Sequence, residues 1–148
     1  TVISYKTVDR KDEGSITNRD YNISSKAKLD TYHHLDNIEG MKEFPDGYWF
    51  DQCIINRYEP GQGIGAHRDR PDYGEFVACF TLGSGAEIEF SECHGPGSYK
   101  LYTEPRSLYI MSGASRHEYT HMIRGRKSDP GYGKRGRRWS LTFRSVET

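Results

Sequence analysis

Arg138-Trp139-Ser140-Leu141-Thr142-Phe143-Arg144 alternates without a break. Successive side chains of an extended strand point to opposite faces. Trp139, Leu141 and Phe143 therefore share one face, which reads as packing against a covering layer. Arg138, Ser140, Thr142 and Arg144 share the other. Two guanidiniums against bulk core would be costly, but they suit a face that lines a pocket for a dianion. Arginine grips carboxylates through paired, charge-assisted hydrogen bonds. A half-buried strand with solvated arginines would show the same alternation.

Upstream of this strand, short apolar runs recur at residues 52–58, 76–82, 86–90 and 107–111. Turn-formers separate them: Pro60-Gly61, Gly63, Gly65, Gly83, Gly85, Gly95, Gly97, Gly113 and Pro130-Gly131. Several short strands with turn signals between them predict a sandwich or barrel. This texture begins at Trp49. Residues 1–50 are polar, with turn-formers at Asp12–Gly14 and Asp46-Gly47, and residues 24–35 carry a weak helical period. The expectation is one domain, mainly β with flanking helices (α+β). Residues 51–148 would form its core and residues 1–50 a cover.

The chain has 148 residues, which suits one domain with one core. Its hydrophobic content is 34% and its mean hydropathy is −0.87, so the surface must be very polar. No apolar run approaches the roughly 20 residues of a membrane span. No signal-peptide core opens the sequence. We therefore expect no membrane partner and a monomer, and a first residue of Thr suits a domain cut from a longer polypeptide. The three cysteines, Cys53, Cys79 and Cys93, form no Cys-x-x-Cys. An odd count argues against a disulfide framework and for a reducing intracellular compartment.

Three motifs bear chemistry. His67-Arg68-Asp69 places an imidazole and a carboxylate two residues apart, hence on one side of a strand. One further histidine would complete a facial triad, which leaves coordination positions open on Fe(II). A surface histidine beside an aspartate is the plainer alternative. Asn56 and Tyr58 likewise share a face and can donate hydrogen bonds into one pocket. His117-Glu118-Tyr119-Thr120-His121 matches the zinc-protease pattern H-E-x-x-H, which works only on a helix. Gly113 and Ser115 precede it, a Gly- and Arg-rich segment comes after it, and the flanking runs are strand-like, so we do not expect protease chemistry.

Four stretches resemble the AlkB family of Fe(II)/2-oxoglutarate dioxygenases in order and spacing. They are Ile55-Asn-Arg-Tyr-Glu-Pro-Gly61, His67-x-Asp69, Ser115-Arg116 leading to His121-Met-Ile123, and the strand 138–144. The resemblance implies a double-stranded β-helix, a jelly-roll variant. It implies Fe(II) held by His67, Asp69 and His121, with 2-oxoglutarate and O2 as co-substrates. Arg138, helped by Tyr58, would grip the distal carboxylate of 2-oxoglutarate. Arg144 and Asn56 would contact the carboxylate nearest the metal. The implied reaction is oxidative demethylation of an alkylated base in single-stranded DNA or RNA. The residues from Glu59 to Gly65 also resemble an AlkB homologue fused to a tRNA methyltransferase, so tRNA hydroxylation is an alternative. A protein or small-molecule hydroxylase shares the fold, and so would a catalytically silent nucleic-acid-binding module. Arg70-Pro71-Asp72 stands where the family often has consecutive acids that read the base.

The segment 124–137 is basic. Arg124, Arg126, Lys127, Lys134, Arg135 and Arg137 lie between His121 and the strand 138–144. We expect them at the rim of the site, free to hold phosphates. A solvated loop is the bland alternative.

Overall fold

A computed structural model describes the backbone of Val2–Lys6 and Arg19–Asn22, together with Pro45 and residues 48–146. Among these residues the strands form two principal sheets and a small hairpin, all antiparallel. The large sheet is built from β1 (Val2–Lys6), β2 (Arg19–Asn22), β3 (Gln52–Tyr58), β5 (Tyr73–Gly83), β8 (Ser107–Met111) and β12 (Arg138–Val146). Their order across it is β1-β8-β5-β12-β3-β2. The small sheet is built from β4 (Ile64–His67), β6 (Ala86–Glu92), β7 (Ser98–Thr103) and β9 (Tyr119–Ile123), in the order β4-β9-β6-β7. A helical turn, α1 (Ala114–His117), joins β8 to β9, and a hairpin of β10 (Ser128–Asp129) and β11 (Gly133–Lys134) precedes β12. From β3 onward the chain passes back and forth between the two principal sheets, which is the jelly roll.

The sequence forms these layers because inward and outward residues alternate. Val77, Cys79, Tyr109 and Met111 of the large sheet meet Ala86, Ile88, Phe90 and Ile123 of the small one between the layers. Ile88 and Phe90 are essentially sealed from solvent, and each such burial contributes about 1.5–3 kcal/mol. The opposite face of the large sheet carries a second cluster: Phe50, Cys53, Ala78, Leu108, Ile110 and Phe143. β8 contributes to both clusters, so all five of its residues are buried. That explains why it reads as a continuous apolar run rather than an alternating one.

The apolar runs at 52–58 and 107–111 are strands with those bounds, and the other three are slightly longer than the runs. β4, β7 and β9 have no apolar run to announce them. The first half of β7 is exposed at an edge of the small sheet, and β4 and β9 spend positions on histidines. β1 and β2, from the first fifty residues, take the two edges of the large sheet. The helix expected at 24–35 and most of the cover expected from 1–50 lie outside the described residues; of that segment, β1, β2 and Phe50 belong to the large sheet and its outer cluster.

One glycine permits the contact between β4 and β9. A methyl group at Gly63 would run into the Ile123 carbonyl and the backbone of Arg124 and Gly125. Glycine there lets the two strands lie together, in a register that sets Ile64 opposite Ile123 and His67 opposite His121.

The basic segment differs from its sequence reading. Arg135 is buried and donates to both oxygens of the equally buried Asp129, at 2.7 Å each, and to the Arg124 carbonyl at 2.7 Å. Arg126 bonds Glu87 and Asp129, Arg124 pairs with Glu89, and Arg137 with Glu59. Four of the six cations thus neutralise carboxylates, and Arg135 is an internal pin rather than a phosphate contact. Burial pulls the Asp129 carboxyl up, but the hydrogen bonds from Arg135 and Arg126 outweigh it and hold the pKa below its ordinary value. Arg135→Ala should therefore destabilise the fold by about 3 kcal/mol, the lower range for breaking a buried ion pair, because Arg126 still partners Asp129. The urea unfolding midpoint would report this, and an unchanged midpoint would contradict it.

Candidate metal and co-substrate site

β4 ends at His67, and the chain turns out of the strand two residues later at Asp69. β9 carries His121 directly across from His67. The potential ligand atoms of His67, Asp69 and His121 all lie within 4.8 Å of one another, close enough for one ion to touch all three. Asp69 Oδ1 stands 3.5 Å from His121 Nε2 and 3.9 Å from His67 Nε2. His67 Nδ1 is 2.8 Å from the Gly65 carbonyl. A proton held there leaves the Nε2 lone pair facing the triad, the usual way a second partner orients a ligating imidazole. Burial, opposed in part by Asp69, pushes His121 down to about 4, so its ring is neutral, as ligation requires. The Asp69 side chain is only 3% exposed, while that of His67 is 35% exposed, so the triad is open on the His67 side.

The other predicted residues line the same cavity. Asn56 and Tyr58 project from β3, and Arg138, Ser140, Thr142 and Arg144 from the inner face of β12. Register puts Arg138 opposite Tyr58 and Ser140 opposite Asn56. The Arg138 guanidinium donates to Thr81 Oγ1 at 3.0 Å and lies 5.5 Å from the Tyr58 ring centre. Burial, partly offset by Arg138, raises the Tyr58 pKa, so its hydroxyl stays a donor. At the triad end, Arg144 lies 4.4 Å from the Tyr73 ring centre, and its Nε is 2.7 Å from Asp69 Oδ2. That last contact is a charge attraction whose N–H is not aligned for a hydrogen bond, so both atoms retain bonding capacity. Ile64, Ile88, Met111 and Ile123 supply apolar wall. A shallower groove along Gly63–Gly65 and residues 122–126 has no such convergence, since its two arginines are already paired.

Sequence reasoning missed Thr81, Cys79 and Tyr109. Their parity on β5 and β8 was a usable signal, since Cys79 and Thr81 alternate with residues of the outer cluster. Burial pushes Tyr109 well above its ordinary pKa and raises Cys79, so both stay protonated.

The H-E-x-x-H pattern dissolves in three dimensions. His117 ends α1, is exposed, and contacts Glu75 Oε2 at 2.7 Å, whereas His121 lies in the following strand. Glu118 is exposed between them. Glu118→Gln should therefore leave 2-oxoglutarate turnover near wild type, and a dead but folded, iron-loaded variant would reopen the protease reading.

The donor set fits an iron and a dicarboxylate. Asp69 Oδ2, Arg138 Nε and Arg144 Nε are buried in this cavity without hydrogen-bond partners among the described residues. A cation at the triad and an anion with two carboxylates would satisfy them. The comparisons with known proteins agree. The model of the 2OG-Fe(II) oxygenase superfamily matches residues 8–144. Protein L905 of Acanthamoeba polyphaga mimivirus is 44% identical over 101 residues, covering 65% of this chain and 48% of its own. The tRNA (carboxymethyluridine(34)-5-O)-methyltransferase ALKBH8 of Macaca fascicularis is 37% identical over 116 residues, 65% of this chain and 17% of its own. The probable RNA/DNA demethylase ALKBH6 of Danio rerio is 30% identical over 87 residues, 51% of this chain and 37% of its own. This chain thus spans about half the length of the viral relative and much less of the animal ones. The structure of OsALKBH1 shares the fold, with a TM-score of 0.53 at 24% identity over 82% of this chain and 62% of its own. With its triad, its arginine-lined cavity and a family match over nearly its whole length, this chain belongs to the 2OG-Fe(II) oxygenase superfamily and is AlkB-like within it.

Proposed function

We propose that this chain is a dioxygenase that uses Fe(II), 2-oxoglutarate and O2 to hydroxylate an N-methyl group on a base of single-stranded DNA or RNA, with release of formaldehyde. The observation that carries the reading is the His67-Asp69-His121 cluster in one cavity with Arg138 and Arg144. The bound iron would couple oxidative decarboxylation of 2-oxoglutarate to oxidation of a C–H bond. The protein's part is positioning. Arg138, set by Thr81 and Tyr58, receives the far carboxylate, while Arg144 and Asn56 serve the near one. The apolar wall of Ile64, Ile88, Met111 and Ile123 excludes water and strengthens those pairs. The methyl group would approach from the side on which His67 is exposed.

The names of the ALKBH6 and ALKBH8 relatives support a nucleic-acid substrate. One contact favours a second reading, hydroxylation of a modified tRNA uridine. Asp72, the acid just beyond Asp69, already accepts from Arg70 at both oxygens, at 3.0 and 2.9 Å. It is therefore less available to read a methylated base. A panel of methylated oligonucleotides and carboxymethyluridine-containing tRNA, incubated with Fe(II), 2-oxoglutarate and ascorbate, separates the two by mass. Loss of a methyl with formaldehyde supports demethylation, and gain of one oxygen supports uridine hydroxylation. Modification of neither, with intact turnover of 2-oxoglutarate, would direct the search to proteins and small molecules.

A further inference from the structure

Arg116 is 3% exposed, yet among the described residues no carboxylate hydrogen-bonds it. Its guanidinium donates only to main-chain carbonyls: Asp69 at 3.1 Å, Arg70 at 2.7 Å, Tyr73 at 3.1 Å and Gly74 at 3.4 Å. All four belong to the segment that leaves β4 and turns into β5. A buried cation with no hydrogen-bonded carboxylate has a large desolvation cost, and here it is offset chiefly by carbonyl dipoles converging from one loop, with the Glu75 carboxylate near enough to feel its charge. The contact is reciprocal. Arg68, on that loop, donates to the His117 carbonyl at 2.7 Å, and Glu75, where β5 begins, bonds the His117 ring and the Gly113 N–H. The loop that carries Asp69 is thereby fastened to the helical turn that leads into the strand of His121.

We propose that Arg116 is a positioning residue for the metal carboxylate: by holding the carbonyls of Asp69 and Arg70, it fixes the backbone from which Asp69 is aimed at His67 and His121, and so sets metal affinity. The inference rests on the reading of these three residues as a metal site. Loss of a partner that orients a ligand typically weakens metal binding by about 10–100-fold. A lysine at this position keeps the charge, but its single nitrogen cannot span four carbonyls.

The test is Co(II) titration of metal-stripped protein by calorimetry, with the Co(II) ligand-field spectrum and the unfolding midpoint of the metal-free protein measured alongside. Arg116→Met should raise the Co(II) Kd by about 10–100-fold and alter the spectrum, with Arg116→Lys in between. Should Arg116→Met fail to fold, Arg68→Met opens the exposed half of the clasp and should raise the Kd by a smaller factor. A lower unfolding midpoint with unchanged Kd and spectrum would show a purely structural clamp and overturn the proposal. Wild-type protein that binds no Co(II), or binds it equally well as Asp69→Ala, would instead overturn the metal-site reading and this inference with it.

Discussion

Asp69→Ala is expected to lose bound iron and 2-oxoglutarate turnover together, and His67→Ala to do the same. Asp69 is the only anion among the three ligands and is almost fully buried. Without it, only two imidazoles would face a divalent ion beside the Arg144 guanidinium, which then has no carboxylate at 2.7 Å. Attraction is lost and repulsion appears in a site largely screened from water, where charge interactions are strong. Asp69→Asn, which keeps the shape and removes the charge, should fail in the same way. Iron content after anaerobic loading and succinate formation are the measurements. Iron and activity at wild-type levels in both alanine variants would sink the assignment.

Arg138→Ala should leave iron in place and raise the KM for 2-oxoglutarate steeply. Arg138 is only 4% exposed, its Nη2 is set by Thr81, and its Nε has no hydrogen-bond partner. Removing the guanidinium would leave a carboxylate of the co-substrate unpaired in a buried place, a loss of about 2–5 kcal/mol. At 1.4 kcal/mol per tenfold change, that is a rise of roughly 30-fold or more in KM. Arg138→Lys should recover only part of it, since an ammonium cannot make two parallel bonds to a carboxylate. Initial rates against 2-oxoglutarate concentration, with iron content as the control, decide the matter. A normal KM would remove Arg138 from the co-substrate pocket.

Legibility in the sequence divides along physical lines. β12 was legible because one of its faces is apolar and the other lines a cavity, which gives clean alternation. β8 was legible because both its faces are covered. The pair His67 and Asp69 came from the two-residue period. His121 came from resemblance alone, hidden inside a pattern that belongs to another chemistry. β7 was illegible because an exposed edge strand has no apolar face along half its length. The basic segment misled for a related reason. Counting charges along residues 124–137 cannot see Glu59, Glu87 and Glu89, which arrive from distant parts of the chain to neutralise Arg137, Arg126 and Arg124. Arg116 bonds carbonyls 42 to 47 positions away, and no local pattern announces such a partner.

The place of β12 in the large sheet bears on the order of assembly. β3 and β5 do not pair with each other; each pairs with β12, the last strand to be synthesised among those described. Until it inserts, the sheet is two fragments, β2-β3 and β1-β8-β5, each with an inner edge whose backbone groups are unsatisfied and open to foreign strands. The three residues assigned here to the metal precede β12 in the chain, and the two arginines proposed to hold the co-substrate ride on it. A nascent chain therefore gathers the means to hold a metal before the means to hold the dicarboxylate, and closing the sheet completes the pocket in the same event. Pairing at such sequence separation is slow by its loop-closure entropy. The interval before closure is when this protein most needs shelter from aggregation.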